Sequence, residues 1–174
     1  MTVERCLRGD TDAFGDLIDR YEQPLYNTVL HMVGNAEDAR DLCQQVFVKV
    51  FEHLSTYDPQ RKFFSWIYRV AVNEAINHIR SRHVTEPLHA SLHATQADPA
   101  EQFEEAEQWV HLHEEIMKLD ANYRAVIILR HFLHLSYADM AEVASVPEKT
   151  VKSRLFTARQ LLRDAMQARG YAGH

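Results

Sequence analysis

The chain has 174 residues, 46% of them apolar, with five glycines, five prolines and a formal net charge of −6. That length suits one large domain or two small ones, and so few glycines and prolines disfavour a turn-rich all-β chain. Cys6 and Cys43 form neither a metal-ligand spacing nor a disulfide framework; the N-terminal "MTVERCLRGDTDAF" lacks a signal-peptide core, and "AVIIL" is too short to cross a bilayer, so a cytoplasmic protein without membrane insertion is expected.

Phe14, Leu17, Ile18, Tyr21, Leu25, Val29 and Val33 recur at helical spacing. Pro24 is expected to bend or split this helix, and Gly34 to end it. Asn35 is the expected cap of the next helix, with Asp38 at the capping-box position. That helix runs to Leu54 and is strongly two-faced. Ala39, Leu42, Cys43, Val46, Phe47, Val50, Phe51 and Leu54 form one stripe, and Asp41, Gln44, Gln45, Lys49 and Glu52 lie opposite. Cys43 falls in the apolar stripe and reads as a small core residue. Ser55–Lys62 reads as a loop containing Pro59. Helix returns from Phe63 to about Arg82, with Phe63, Ile67, Val70, Ala71, Ile76 and Ile79 as its expected core.

Residues 84–100 contain Pro87 and Pro99 and no sustained apolar period, so they read as a linker. A second helical unit begins near Gln102. The expected architecture is therefore all-α: a first module over residues 1–83, an acidic linker over 84–101, and a second module over 102–174 ending in a helix-turn-helix.

The closing motif carries the clearest chemistry. In "LSYADMAEVASVPEKTVKSRLFTARQLL", Ser136 is placed to cap one helix and Pro147 to sit in the first turn of the next. Val151, Leu155, Ala158 and Leu162 form a buried stripe. Lys152, Phe156, Arg159 and Arg163 form a second stripe around the axis. A capped short helix, a tight turn and a helix with one apolar and one basic stripe make a helix-turn-helix. Its basic residues can pair with phosphates, and residues near the N-terminal end of its second helix can reach base edges.

Charge is distributed unevenly. Residues 1–58 carry −6, 59–84 carry +4, 85–115 carry −8, 116–146 balance, and 147–174 carry +4. The local basic blocks, not the total, decide phosphate binding. In the first block Tyr57, Phe63, Phe64, Trp66 and Tyr68 sit beside Arg61, Lys62, Arg69, Arg80 and Arg82. Aromatic faces stack on unpaired bases while cations follow the strand, so this mixture suits open single-stranded DNA. Trp66, among apolar neighbours, reads as core; the loop residues before Phe63 read as functional.

"AFGDLIDRYEQPLYNTV", "ARDLCQQVFVKVFEHL", "FFSWIYRVAVNEAINHIRSR" and "LDANYRAVIILRHFLHLSYADMAEVASVPEKTVKSRLFTARQLL" resemble successive regions of bacterial sigma factors. The two-module layout is similar to the extracytoplasmic-function group. The resemblance implies a transcription initiation factor that binds core RNA polymerase. Its first module would engage the β′ clamp helices and open the −10 element. Its second would read the −35 element and contact the β flap.

The same resemblance implies a polymerase-binding role for Asp41, Gln44, Gln45 and Lys49. It implies −10 DNA contacts from Tyr57, Arg61, Lys62, Phe63, Phe64, Asn73 and Arg80. The loop Ser55–Lys62 would capture a flipped base. Thr150, Lys152, Ser153, Arg154, Phe156 and Arg159 would face the −35 element. The family's turn often carries Gly where this chain has Ser145, which implies strain there or a slightly different turn. The acidic linker would lie in a basic channel of the polymerase, and an anti-sigma factor is an expected partner.

Two rival readings have other consequences. A helix-turn-helix regulator independent of polymerase would usually begin with an α/β receiver domain, but residues 1–82 show neither strand alternation nor a glycine-rich loop. A metal sensor or enzyme would rest on the 11 histidines, including His89 with His93, His111 with His113, and His131 with His134. The chain lacks HExxH, CxxC, a phosphate loop and a nucleophile–base pair, so neither catalysis, a metal nor a cofactor is expected.

Overall fold

The computed structural model describes residues 2–82 and 101–171, with side chains in the second segment described from residue 107. The described residues form eight α-helices and no strand. They are α1 (Thr2–Leu7), α2 (Thr11–Val33), α3 (Ala36–His53), α4 (Phe63–Arg82), α5 (Glu101–Lys118), α6 (Ala121–His131), α7 (Tyr137–Ala144) and α8 (Glu148–Ala168). A single 3₁₀ turn, Leu54–Thr56, follows α3. The expected linker, including His89 and His93, lies almost wholly outside the described residues.

The helix ends follow their local chemistry. Asp10 caps α2 by accepting from the Ala13 N–H at 3.2 Å. Pro24 does not split α2, which continues through it to Val33; the Thr28 hydroxyl donates to the Pro24 carbonyl at 2.9 Å. Gly34 closes α2 at φ 74°, a left-handed conformation that favours glycine. Asn35 caps α3, accepting from Glu37 and Asp38 N–H groups at 2.9 and 3.0 Å. The Asp38 carboxylate pairs instead with Arg82 of α4 and lies 3.5 Å from His78.

In the first module, α2, α3 and α4 pack together, with α1 against α2. Leu17, Leu25, Val29 and Met32 meet Ala39, Leu42, Val46 and Val50, and Ile67, Ala71 and Ile79 complete the core. The α4 interior also includes Tyr68 and Val72, which the sequence pattern omits, whereas Val70 and Ile76 are only half-buried. Burial pushes the Cys43 thiol up to about 12, helped by Glu22, so it is an inert packing residue. Phe51 corrects the sequence pattern: it is 57% exposed, and its ring meets the edge of Phe14 at 5.1 Å.

In the second module α6 is the central helix. Ala121, Arg124 and every residue from Ala125 to Leu129 are buried, which accounts for the apolar run "AVIIL". Helix α8 packs on α6, α7 and α5. Its buried residues are Val151, Leu155, Ala158 and Leu162, the expected stripe.

The two modules are packed on one another. Helix α4 lies along α7, and α6 touches both α2 and α4. The buried apolar residues form one continuous cluster across both modules. Two complete cores held apart by a tether would not show this. The buried Arg124 guanidinium donates to the Met32 carbonyl at the C-terminal end of α2 at 2.6 Å. It also donates to the Met117 and Leu119 carbonyls within its own module. Carbonyls at helix C-termini lack intrahelical partners, so one cation satisfies the ends of α2 and α5 together. Burial lowers the Arg124 pKa to about 10, leaving it charged at neutral pH.

Candidate nucleic-acid interface

The recognition half of the site is built by α7 and α8. Ser136 caps α7, its hydroxyl accepting from the Asp139 N–H at 3.1 Å and donating to the Asp139 carboxylate at 2.6 Å. Ser145 ends α7 at φ 53°, ψ 41°, so the turn does place a non-glycine residue in the left-handed region. Pro147 is the N-cap of α8, one position before the expected one. Met140 and Val143 of α7 pack on the Val151–Leu155 face of α8.

The opposite face of α8 is open. Lys152, Ser153, Phe156, Arg159 and Arg163 are exposed, Phe156 at 66%. Lys152 pairs with Glu148 one turn earlier at 2.6 Å and lies 5.3 Å from the Tyr137 ring. Arg159 reaches the His131 imidazole at 3.2 Å. These intrahelical or neighbouring partners hold the cations without hiding them. Thr150 and Arg154 are half-buried. Arg154 lines a cleft between the modules together with Asn73, Asn77 and Arg80 of α4 and Asn122 of α6. The structure thus brings expected −10 and −35 residues to one cleft, turned toward each other rather than toward two separate DNA sites.

The aromatic loop is rearranged relative to the sequence reading. Tyr57 is 9% exposed, its ring 5.3 Å from Phe63 and 5.6 Å from Trp66. Its hydroxyl donates to the Arg61 carbonyl and pins the loop. Phe63 is 8% exposed against Tyr21 and Trp66. Both therefore stand as core residues that shape the loop, with no face free to stack on a base in this arrangement. Phe64 is half-buried on Tyr68, with centroids 4.3 Å apart. Arg61, Asn73 and Arg80 are exposed.

Lys62 is exposed but engaged. Its ammonium contacts the Asp139 carboxylate of α7 at 2.6 Å. That contact raises the Lys62 pKa and holds the Asp139 carboxyl below its usual range. Nearby, Arg69 donates to the Glu142 carbonyl at 3.1 Å. The first module's basic loop and helix are thus held by the capped helix of the second.

On α3, Asp41, Gln44, Gln45, Val48 and Glu52 form one exposed stripe on the side away from the core. Val48 is 56% exposed in its middle. Sequence reasoning missed it, although its position off the Val46–Phe47–Val50 stripe was a usable signal. Lys49 lies beside this stripe and is bound to Glu74 of α4 at 2.6 Å, which fastens α3 to α4. Arg124 was also missed. Its signal was spacing, since it shares a helical face with Ala121 and Ile128.

Among the described residues, the histidines of the sequence pairs do not gather at one site. His111 bonds the Tyr171 hydroxyl at 2.8 Å, His113 faces His31, and His131 lies beside Arg159.

Residues 17–84 match Sigma-70 region 2, and residues 110–162 match Sigma-70, region 4. The ECF RNA polymerase sigma factor SigW of Bacillus subtilis (strain 168) is 30% identical over 177 residues, covering 95% of each chain. RNA polymerase sigma-H factor of Pseudomonas aeruginosa is 32% identical over 179 residues, covering 95% of this chain and 92% of that one. Two solved structures share the fold. CnrH in complex with the cytosolic domain of CnrY has a TM-score of 0.70 at 24% identity, over 96% of each chain. The sigma factor RpoE of Bartonella quintana, in complex with the anti-sigma factor NepR, has a TM-score of 0.71 at 19% identity. That likeness covers 88% of this chain and 96% of RpoE.

Proposed function

The chain belongs to the extracytoplasmic-function sigma factors of the sigma-70 family, and from that premise we propose how its surfaces divide the work of promoter-directed initiation. The protein is a non-enzymatic transcription initiation factor. Residues 1–83 act as the region 2 module, 84–101 as the linker and 102–174 as the region 4 module.

The α3 stripe of Asp41, Gln44 and Gln45 docks core polymerase, with Val48 supplying an apolar centre. Lys49 supports that surface by bracing α3 on α4. Arg61, Lys62, Phe64, Asn73 and Arg80 form the −10 surface. Tyr57 and Phe63 serve it indirectly by fixing the loop. Thr150, Lys152, Ser153, Arg154, Phe156 and Arg159 face the −35 element. The observation that carries this reading is α8: a buried aliphatic stripe backs an exposed stripe of Lys152, Phe156 and Arg159 on the second helix of a capped helix-turn-helix.

The packed arrangement is the resting form. Arg154, Asn73 and Arg80 share one cleft, and Lys62 is held by Asp139, so polymerase binding must separate the modules before both promoter elements are read. Polymerase supplies much of the affinity, which is why an acidic chain can carry a DNA-reading motif. The protein works in the cytoplasm, and no described helix is long and apolar enough to cross a membrane. An anti-sigma factor is part of the proposal, since RpoE of Bartonella quintana was captured with one.

The test is reconstitution. Purified protein added to sigma-free core polymerase should produce discrete start sites on genomic DNA. Random initiation, or none, would contradict the reading.

A further inference from the structure

The histidines His31 and His113 meet across the contact between the modules, one from the last turn of α2 and one from α5. Their ring centroids are 6.3 Å apart at 62°. The His31 ring also lies on Phe132, with centroids 4.1 Å apart. His31 Nδ1 and His113 Nε2 are both buried and have no hydrogen-bond partner. A neutral imidazole tolerates this, because one ring nitrogen is then a bare acceptor. An imidazolium must donate from both nitrogens, so protonation here buries an unsatisfied charged N–H.

We propose that this histidine pair makes the packing of the two modules pH-dependent: they stay closed at and above neutral pH and separate as the imidazoles take up protons in mild acid. The proposal rests on the reading that the packed arrangement is the resting form of the sigma factor.

The surroundings of the pair support this direction. From α6, the buried Arg124 guanidinium acts on His113, and among the described residues Asp120 is the opposing charge on Arg124. From α5, Glu114 favours protonation of His113 but is the weakest of the influences on it. Phe132, following α6, contributes no charge. The negative end of α2 would ordinarily favour an imidazolium at His31, but Arg124 already occupies the Met32 carbonyl there. Burial holds His31 below its ordinary value. Burial, His31 and Arg124 together do the same for His113.

The sign follows. Separated modules return the histidines toward the ordinary value of about 6.5. Above that value neither form binds the protons, and pH has no leverage. As pH falls through it, the separated form takes up protons that the packed form resists, so packing weakens. Each histidine can shift the equilibrium by at most about tenfold between pH 7.5 and 5.5, and the pair by at most about a hundredfold. The cross-module Lys62–Asp139 pair does not contribute in that interval. The Asp139 carboxyl is held below its usual range and stays ionised.

The test uses the full chain. Small-angle scattering from pH 8 to 5.5 should show a compact form that expands on acidification. The variant His31→Leu, His113→Leu should remain compact throughout. Imidazole titration by NMR on the unaltered protein provides a readout that does not depend on the variant folding, and both histidines should titrate below the ordinary value. An expanded wild type at pH 8, equal expansion of variant and wild type, or ordinary imidazole values would each overturn the proposal. Start-site selection by the reconstituted polymerase at pH 8 separates these failures from failure of the sigma assignment, which would abolish it.

Discussion

Replacing Arg124 with methionine probes the resting form at its most buried contact. The side chain is 2% exposed and donates to Met32 of the first module and to Met117 and Leu119 of the second. Methionine approximates its length but donates nothing. In the packed form all three carbonyls then lose this donor. A buried acceptor left behind costs about 1–3 kcal/mol. Separation lets water reach the Met32 carbonyl, so that share of the penalty is recovered only by opening. The expected shift toward the separated form is therefore about 5- to 150-fold. The Met117 and Leu119 carbonyls stay inside the second module in both forms, so their penalty appears as a lower melting temperature. Small-angle scattering reports the opening, and circular dichroism reports the melting. A lower melting temperature with an unchanged scattering profile would refute the cross-module role and leave Arg124 as a local support of α5 and α6.

Other consequences can be checked alongside. Asp41→Ala with Gln44→Ala should weaken binding to core polymerase in a pull-down while helicity is unchanged, because both side chains are exposed on α3. Ser145→Gly should raise the stability of the second module by up to about 1 kcal/mol, since glycine carries no left-handed penalty, although its unfolded chain is freer; denaturant unfolding measures it. Tyr57→Phe keeps the buried ring and removes the hydroxyl bond to Arg61. It should loosen the loop at a cost of about 1 kcal/mol, and slower promoter opening in a permanganate footprint is the expected result.

Much of the fold was legible because amphipathic helices announce themselves. The α3 and α8 stripes, the Asn35 and Ser136 caps and the Gly34 stop all depend on neighbours within one or two turns. Family motifs then supplied the proposed polymerase and promoter surfaces. What was not legible depends on residues far apart in the chain. Lys62 meets Asp139, Arg69 meets Glu142, and Arg124 meets Met32 across the two modules. No local period encodes such pairs. Tyr57 misled for a related reason: an aromatic cluster beside cations has the composition of a base-stacking platform, yet here its ring packs on Trp66 and on Phe63, itself an expected core residue. Phe51 fitted the apolar stripe of α3 but falls at its edge, where Phe14 covers only one side.

The proposed role of α8 is to give the polymerase its choice of −35 sequence, and reconstituted transcription from a promoter library randomised at the −35 element tests it. The comparison is between wild type, Arg154→Ala near the start of α8 and Arg163→Ala about two and a half turns further along it. Losing a base contact should cost about 1–3 kcal/mol at one position and reorder the preferred sequences for Arg154→Ala. Losing a phosphate contact should weaken all promoters alike for Arg163→Ala and reduce the salt dependence. The expected result is a changed ranking for the first variant and an unchanged ranking at lower output for the second. An unchanged −35 ranking with Arg154→Ala would contradict a base-reading role for α8.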